Sequence, residues 1–460
     1  MTTTGVVRVT IAAPQRRIDL ALPERSPVAE VGPVLLRHAG ENLADDGVPA
    51  GGWVLRRADG TAVDAGRTLG AHRIRDGEVL HLVPRELSWP ELEYDDLVDA
   101  IAGGAGRIGR LWGPRHTRAA GLGVAAVGLL LTLVAVLRAG PPWPGPGWVA
   151  LAVAALLVIS GTVLARALGD AGAGAVLAAL ALPHAFVGGV LLFGDRLALT
   201  GFGAAQLLGG CATLLLVAVF GCLGVVDRAA VFVAAATLGL LGGLTAWPVT
   251  VGLVDGPGAA AVLASAVLLF SPLCGPLAVR LGRVPMPVLP RTAADLVRDD
   301  PQPPRRAVYA AVLRADGLLT GMLAGGALAA GCAQAVLAPD AGTATTVLLV
   351  VLTLGFLVRA RLYPAIRQRM SQLGAGFAGA AALAAGPLMA DPGRLTTLAV
   401  PVLVVAAGLA VLAGLWYSRR APNPFLSRYA ELLEVVLVLA CVPVLCAVLQ
   451  LYGLVRGLGG

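Results

Sequence analysis

The chain has 460 residues, 57% of them hydrophobic and 14% charged, with a mean hydropathy of +0.80 and a formal net charge of +7. These values exclude an ordinary soluble globular protein, and they leave too much apolar chain for a receptor with a single span. All 35 basic residues are arginine, so what the positive charge means depends on where those arginines stand.

The first 118 or so residues are polar and strand-patterned. Met1 to Gly5 lack a basic stretch followed by an apolar one, so no signal peptide is expected and the first module is expected in the cytoplasm. Val6 to Ala12 and the alternating Arg17 to Leu22 predict a hairpin turning at Pro14-Gln15. Ser26-Pro27 predicts a helix N-cap with proline in the first turn. Val28, Val31, Val34 and Leu35 then share one side, Pro33 is a possible bend, and Gly40 is the stop. Gly52 to Arg57 and Glu78 to Val83 read as further strands, with a turn at Asp59-Gly60. This ββα order followed by more β, in under ninety residues, suits a β-grasp fold.

The stretch from Thr68 to Arg85 is similar to the C-terminal part of ubiquitin, sharing Thr68, Leu69, Ile74, Leu80, His81, Leu82, Val83 and Arg85 at equal spacing. The resemblance implies a ubiquitin-like docking module over residues 1–86. A conjugatable modifier is excluded on chemistry, because the strand runs on into Glu86-Leu87-Ser88 with no free diglycine carboxylate; Gly459-Gly460 follows the last span. The basic groups of this module that could meet a partner are Arg8, Arg17, Arg56, Arg57 and, on a half-buried strand, His81. Residues 87–118 form a linker. Ser88-Trp89-Pro90-Glu91 matches a capping box, a helix continues through Ile101, and arginines from Arg107 to Arg118 lead into the membrane.

Residues 119–460 predict an all-α membrane domain of about eleven spans, near 119–137, 147–165, 171–193, 201–226, 229–254, 257–279, 317–338, 342–358, 372–390, 395–417 and 431–455. Each is long enough for ~30 Å of hydrocarbon. With the N-terminus inside, twenty arginines fall on the cytoplasmic side and four on the other, which places the C-terminus outside. The connection 280–316, proline-rich and ending in Arg305-Arg306, is then cytoplasmic and able to carry partner contacts or lie over anionic headgroups.

Chemistry in a membrane needs ionisable groups held inside spans, and the carboxylates picked out in this domain, such as Asp170, Asp195 and Asp255, stand at span ends. His184, Gln206 and Gln334 are the deeper polar groups, and they read as bonds between helices. Gly321 and Gly325 form a GxxxG pair that allows close helix approach. Prolines 248, 272, 276, 387, 401 and 443 could interrupt spans. The six cysteines lie apart in apolar segments, and neither a metal cluster nor a phosphate-cradling loop is present in the sequence. No catalytic, cofactor or metal site is expected.

A ubiquitin-like module followed by eleven spans resembles EccD, the membrane subunit of actinobacterial type VII (ESX) secretion machines. The similarity is carried by Arg8-Val9-Thr10 through Pro23, Arg75 to Leu82, and Tyr94 to Ala102. It implies a non-catalytic scaffold that dimerises in the cell membrane, encloses lipid and holds the motor ATPase EccC beside EccB and, in many systems, EccE, with no nucleic-acid partner. The alternative from a different class is a secondary permease with a cytoplasmic regulatory domain, binding solute at His184, Gln206 and Gln334.

Overall fold

The computed structural model describes residues 5–14, 16–40, 43, 47–48, 51–85, 112–286, 304–339, 342–388, 393, 395–419 and 424–453. The expected helix after Ser88, residues 287–303 of the 280–316 connection and the Gly459-Gly460 end lie outside the described residues. The chain divides into two units, Met1–Trp112 and Gly113–Gly460.

The first unit is a four-stranded mixed sheet. Strands β1 (Val6–Ala12) and β2 (Arg17–Pro23) form the hairpin, in register from Val6 opposite Pro23 to Ala12 opposite Arg17. Helix α1 (Val28–Ala39) follows, then β3 (Trp53–Arg57) and β4 (Glu78–Pro84). β4 lies parallel to β1 and antiparallel to β3, giving the order β2-β1-β4-β3. First and last strands side by side under one helix make the β-grasp arrangement. Its core is closed within the unit: Val7, Val9, Ile11, Leu55, Leu80 and Leu82 from the sheet meet Val28, Val31, Leu35 and Ala39 from the helix.

Two local expectations are corrected. Pro27, not Ser26, occupies the N-cap of α1, and no side chain caps it. The first N–H groups are met by the chain itself, Val28 donating to the Arg67 carbonyl at 3.1 Å and Ala29 to that of Ala65 at 2.9 Å, so a hydroxyl cap is unnecessary. Val34 is 41% exposed, because the buried stripe follows Val28, Val31, Leu35 and Ala39. Pro33 sits inside the helix without ending it. The Asp59-Gly60 turn forms as expected: Gly60 takes φ +87°, and the Thr61 N–H donates to the Asp59 carboxylate at 2.9 Å. That backbone donor, more than any other contact, holds the Asp59 carboxyl below its usual range.

The second unit is helical: α2 (Pro114–Arg138), α3 (Pro144–Arg166), α4 (Ala171–Leu192), α5 (Ala204–Gly224), α6 (Ala229–Thr250), α7 (Gly256–Phe270), α8 (Cys274–Leu281), α9 (Arg305–Leu337), α10 (Thr343–Arg359), α11 (Ile366–Leu383), α12 (Val400–Arg419) and α13 (Pro424–Val448). Among the described residues ten helical segments are long and apolar enough to cross a membrane, with α7 and α8 counted as one. The span expected at 372–390 is present as α11, continued by a π-helical turn at Ala384–Leu388, but Arg367, Gln368, Arg369 and Gln372 make its first half polar and keep it out of the ten.

Prolines act differently by position. Pro248 and Pro443 are absorbed within α6 and α13, whereas Pro272 accompanies a 3₁₀ turn at Ser271–Leu273 separating α7 from α8. Helices α3 to α6 pack in sequence around Ala178, Leu214, Ala218 and Phe232. A second cluster joins α7, α9, α10, α11 and α13 around Ala264, Leu268, Leu348, Leu352 and Phe356. The seam between the two groups is α6 against α9.

Candidate functional site

Alternation fixes the open face of the sheet. Val7, Val9, Ile11, Leu55, Leu80 and Leu82 point to the core, so Arg8, Ala12, Arg56 and His81 point away from α1. Register then brings distant residues into one row: Arg17 lies opposite Ala12, Ala12 opposite His81, and His81 opposite Arg56. With strands ~4.8 Å apart, Arg17, His81 and Arg56 form a basic line ~14 Å long, with Arg8 further along β1. Thr10 donates to the Asp19 carboxylate at 2.6 Å on the same face. Such a line suits an acidic protein surface.

Arg57 has the opposite parity. It pairs with Glu78 at 3.0 Å and donates to the His72 carbonyl at 2.7 Å, so its charge is spent inside the domain. Arg305 and Arg306 are exposed at the start of α9. Arg16, which drew no attention in the sequence, donates through Nε to the Ala39 carbonyl at 3.1 Å and through Nη2 to that of His38, closing the C-terminus of α1.

In the membrane unit, Gly321 and Gly325 press against α6: a Cβ at Gly321 would stand 2.6 Å from Val233 Cβ, and one at Gly325 2.7 Å from Thr237 Cβ. His184 is fully buried; its Nδ1 lies 2.8 Å from the Leu180 carbonyl, which requires an N–H there, and its Nε2 lies 2.8 Å from the Thr132 hydroxyl on α2. Gln206 accepts from the Gly203 N–H at 2.9 Å and donates to the Phe193 carbonyl at 2.8 Å, so it caps α5 and ties it to α4. Gln334 donates to the carbonyls of Ala330 at 3.3 Å and Ala375 at 3.1 Å, linking α9 to α11.

One feature at a span end went unnoticed in the sequence. Glu434 on α13 meets Arg359 and Arg361 at 2.8 Å each, and Glu431 meets Arg361 at 3.8 Å. Arg359 and Glu434 have side chains only 7% and 12% exposed. The available signal was two acidic residues three apart on an apolar helix, with two arginines ending an earlier span. Closer to a loop, Asp170 caps α4 through the Ala173 N–H and pairs with Arg118, and these contacts hold its carboxyl below the usual range.

A cavity of about 2010 Å³ is walled by α4, α5, α6, α7, α9 and α11. Its wall is overwhelmingly apolar, and His184, Gln206 and Gln334 do not line it. The polar groups that a permease would use are thus engaged between helices and do not line this cavity. No three His, Cys, Asp or Glu side chains gather there as a metal site would need.

Two family descriptions match in tandem: the WXG100 protein secretion system protein YukD over residues 6–82, and the EccD-like transmembrane domain over 117–458. The ESX-4 secretion system protein eccD4 of Mycobacterium tuberculosis, in strains CDC 1551 and H37Rv, is 29% identical over 255 residues. That match covers 53% of this chain and 54% of the relative, so the chain spans about half the length of the curated relatives it matches. Protomer 1 of the ESX-3 core complex superposes with a TM-score of 0.61 at 22% identity, covering 98% of this chain and all of that one. The MycP5-free ESX-5 inner membrane complex, State II, gives 0.57 at 19% identity, covering 88% and 99%. Those likenesses establish a shared fold. With the transmembrane description matching 117–458 and a YukD-type module ahead of it, the chain belongs to the EccD family of polytopic membrane proteins.

Proposed function

We propose that this chain is a non-catalytic scaffold of a type VII (ESX) secretion complex in the cell membrane. It dimerises through its membrane domain and docks an EccC-type motor ATPase through residues 1–86, beside EccB and EccE subunits. The observation that carries this reading is the tandem match, a YukD-type module directly followed by an EccD-like membrane domain. The row Arg17, His81 and Arg56 supplies the docking chemistry, and residues 87–118 are the tether. The N-terminal module faces the cytoplasm and the C-terminus the opposite side, following the arginine bias. Gly321, Gly325, His184, Gln206 and Gln334 serve helix packing.

Purification of the tagged chain from its native membranes in mild detergent, followed by mass spectrometry, tests the reading. EccC-like and EccB-like chains in one large complex are expected, and the triple replacement Arg17→Glu, Arg56→Glu, His81→Glu removes the ATPase while the membrane partners stay. Recovery of a lone chain, under conditions that keep other membrane complexes intact, overturns it.

A further inference from the structure

The break between α7 and α8 is closed by side chains from another helix. Pro272 has no N–H, so the Leu268 carbonyl loses the donor that the next turn of an unbroken helix would supply. Two side chains take its place: Ser271 Oγ donates to that carbonyl at 3.0 Å and Arg359 Nη2 at 3.4 Å. The Ser271 carbonyl in turn accepts from the Tyr363 hydroxyl at 3.2 Å, and Leu268, Ser271 and Tyr363 are all buried. Arg359 ends α10 and Tyr363 follows the 3₁₀ turn Ala360–Leu362, so one corner of the chain supplies both outside contacts. That corner is oriented by α13. One oxygen of Glu434 pairs with Arg359 at 2.8 Å and the other with Arg361 at 2.8 Å.

Packing differs on the two sides of the break. Helix α7 is sunk in its helical cluster by Ala260, Ala261, Ala264 and Leu268. Helix α8 buries only Ala278, leaves Leu277 and Leu281 exposed, and leans on the first third of α9, where a Cβ on Gly282 would stand 2.8 Å from Ala315 Cβ and Arg314 donates to the Gly282 carbonyl at 3.5 Å. We infer that α8 is a hinged arm, and that Arg359 and Tyr363, held by Glu434, are the latch that fixes its angle. A helix with its full set of backbone bonds bends only when some of them break, whereas here one is already missing and side chains stand in for it. Glu434 is a positioning residue that acts on the break through Arg359. A shift of α13 that draws Glu434 away withdraws Arg359 from Leu268, so the position of the last helix is registered at α8, where the 280–316 connection begins. This device does not depend on the secretion role.

Amide hydrogen exchange of the full-length protein in lipid nanodiscs, read by mass spectrometry over residues 273–284, tests the latch. Tyr363→Phe removes one hydroxyl and is expected to speed exchange there about fivefold, while 256–268 of α7 and 343–358 of α10 keep their rates. Glu434→Gln, which keeps the shape of the side chain but weakens its hold on Arg359, should speed the same segment at least as much. Pro272→Ala returns a donor to the Leu268 carbonyl, so it is expected to slow exchange at 273–284 and to cancel the effect of Tyr363→Phe in the double variant. Unchanged exchange at 273–284 in Tyr363→Phe, an increase shared equally by α7 and α10, or a Tyr363→Phe effect that persists undiminished beside Pro272→Ala overturns the latch.

Discussion

In the N-terminal unit nearly all the side chains with almost no exposure are large, Ile11, Leu35, Leu43, Leu69 and Leu80, with Ala39 the small exception. In the membrane unit many of the corresponding positions are alanine, as at Ala150, Ala178, Ala181, Ala185, Ala218, Ala261, Ala264 and Ala330, and glycines meet backbone to backbone, as Gly161 does Gly174. Burying a leucine in water-surrounded protein removes apolar surface from water, whereas between helices in lipid that gain is absent, because the lipid tail is as apolar as the leucine. Close approach and polar bonds take over. The same chain thus holds one unit almost wholly by large residues, and in the other sets alanine and glycine close-packing beside buried large residues such as Phe232, Leu268, Leu348 and Phe356.

The comparison makes opposite mutations damaging in the two units. The largest effect is expected where the membrane unit buries charge: Glu434→Ala strands the buried Arg359 and leaves Arg361 only the longer contact with Glu431, and should cost ~3–5 kcal/mol, seen as loss of a monodisperse species in detergent. Leu80→Ala in the β-grasp core should cost ~2–5 kcal/mol, read by chemical denaturation of the N-terminal unit with the membrane unit intact. Gly325→Leu should cost ~1–3 kcal/mol by overpacking the α6 seam, although it adds apolar bulk. If Gly325→Leu stabilises the protein, the proposed difference between the units is wrong. His184→Ala, which removes bonds to Thr132 and Leu180, should cost ~0.6 kcal/mol in the membrane and shift the midpoint only slightly.

The smallest effect concerns pH. The Asp59 carboxyl titrates below its unfolded value of ~3.9, so its contribution is present above that value and is lost as pH falls through the lower folded value. Unfolding of the N-terminal unit followed from pH 5 downward should decline less steeply in Asp59→Asn.

Strands, spans and the Asp59-Gly60 turn were legible because alternation, apolar length and turn chemistry are local signals. The basic row was not. Arg56 and Arg57 are identical in type, and only the parity set by buried Leu55 sends one to the open face and the other to Glu78. Bringing His81 beside Ala12 needs the parallel pairing of strands about seventy residues apart. The Arg361–Glu434 contact crosses 73 residues, and each partner alone resembles an ordinary charge at a span end. Pro27 rather than Ser26 stands at the cap, and the carbonyls that satisfy the first N–H groups come from residues 65 and 67, distant in sequence.

Helix α9 has 33 residues, ~50 Å at 1.5 Å per residue, and the hydrocarbon layer takes up ~30 Å of it. About 20 Å therefore extends past the hydrocarbon towards Arg305 and Arg306, and it is braced on the way: Ala311 and Ala315 are buried, and Ala315 packs against Gly282 just after α8. Because one unbroken helix carries both that braced stretch and the glycine seam on α6, a displacement of its end is passed along α9 to the wall of the cavity with no joint to absorb it.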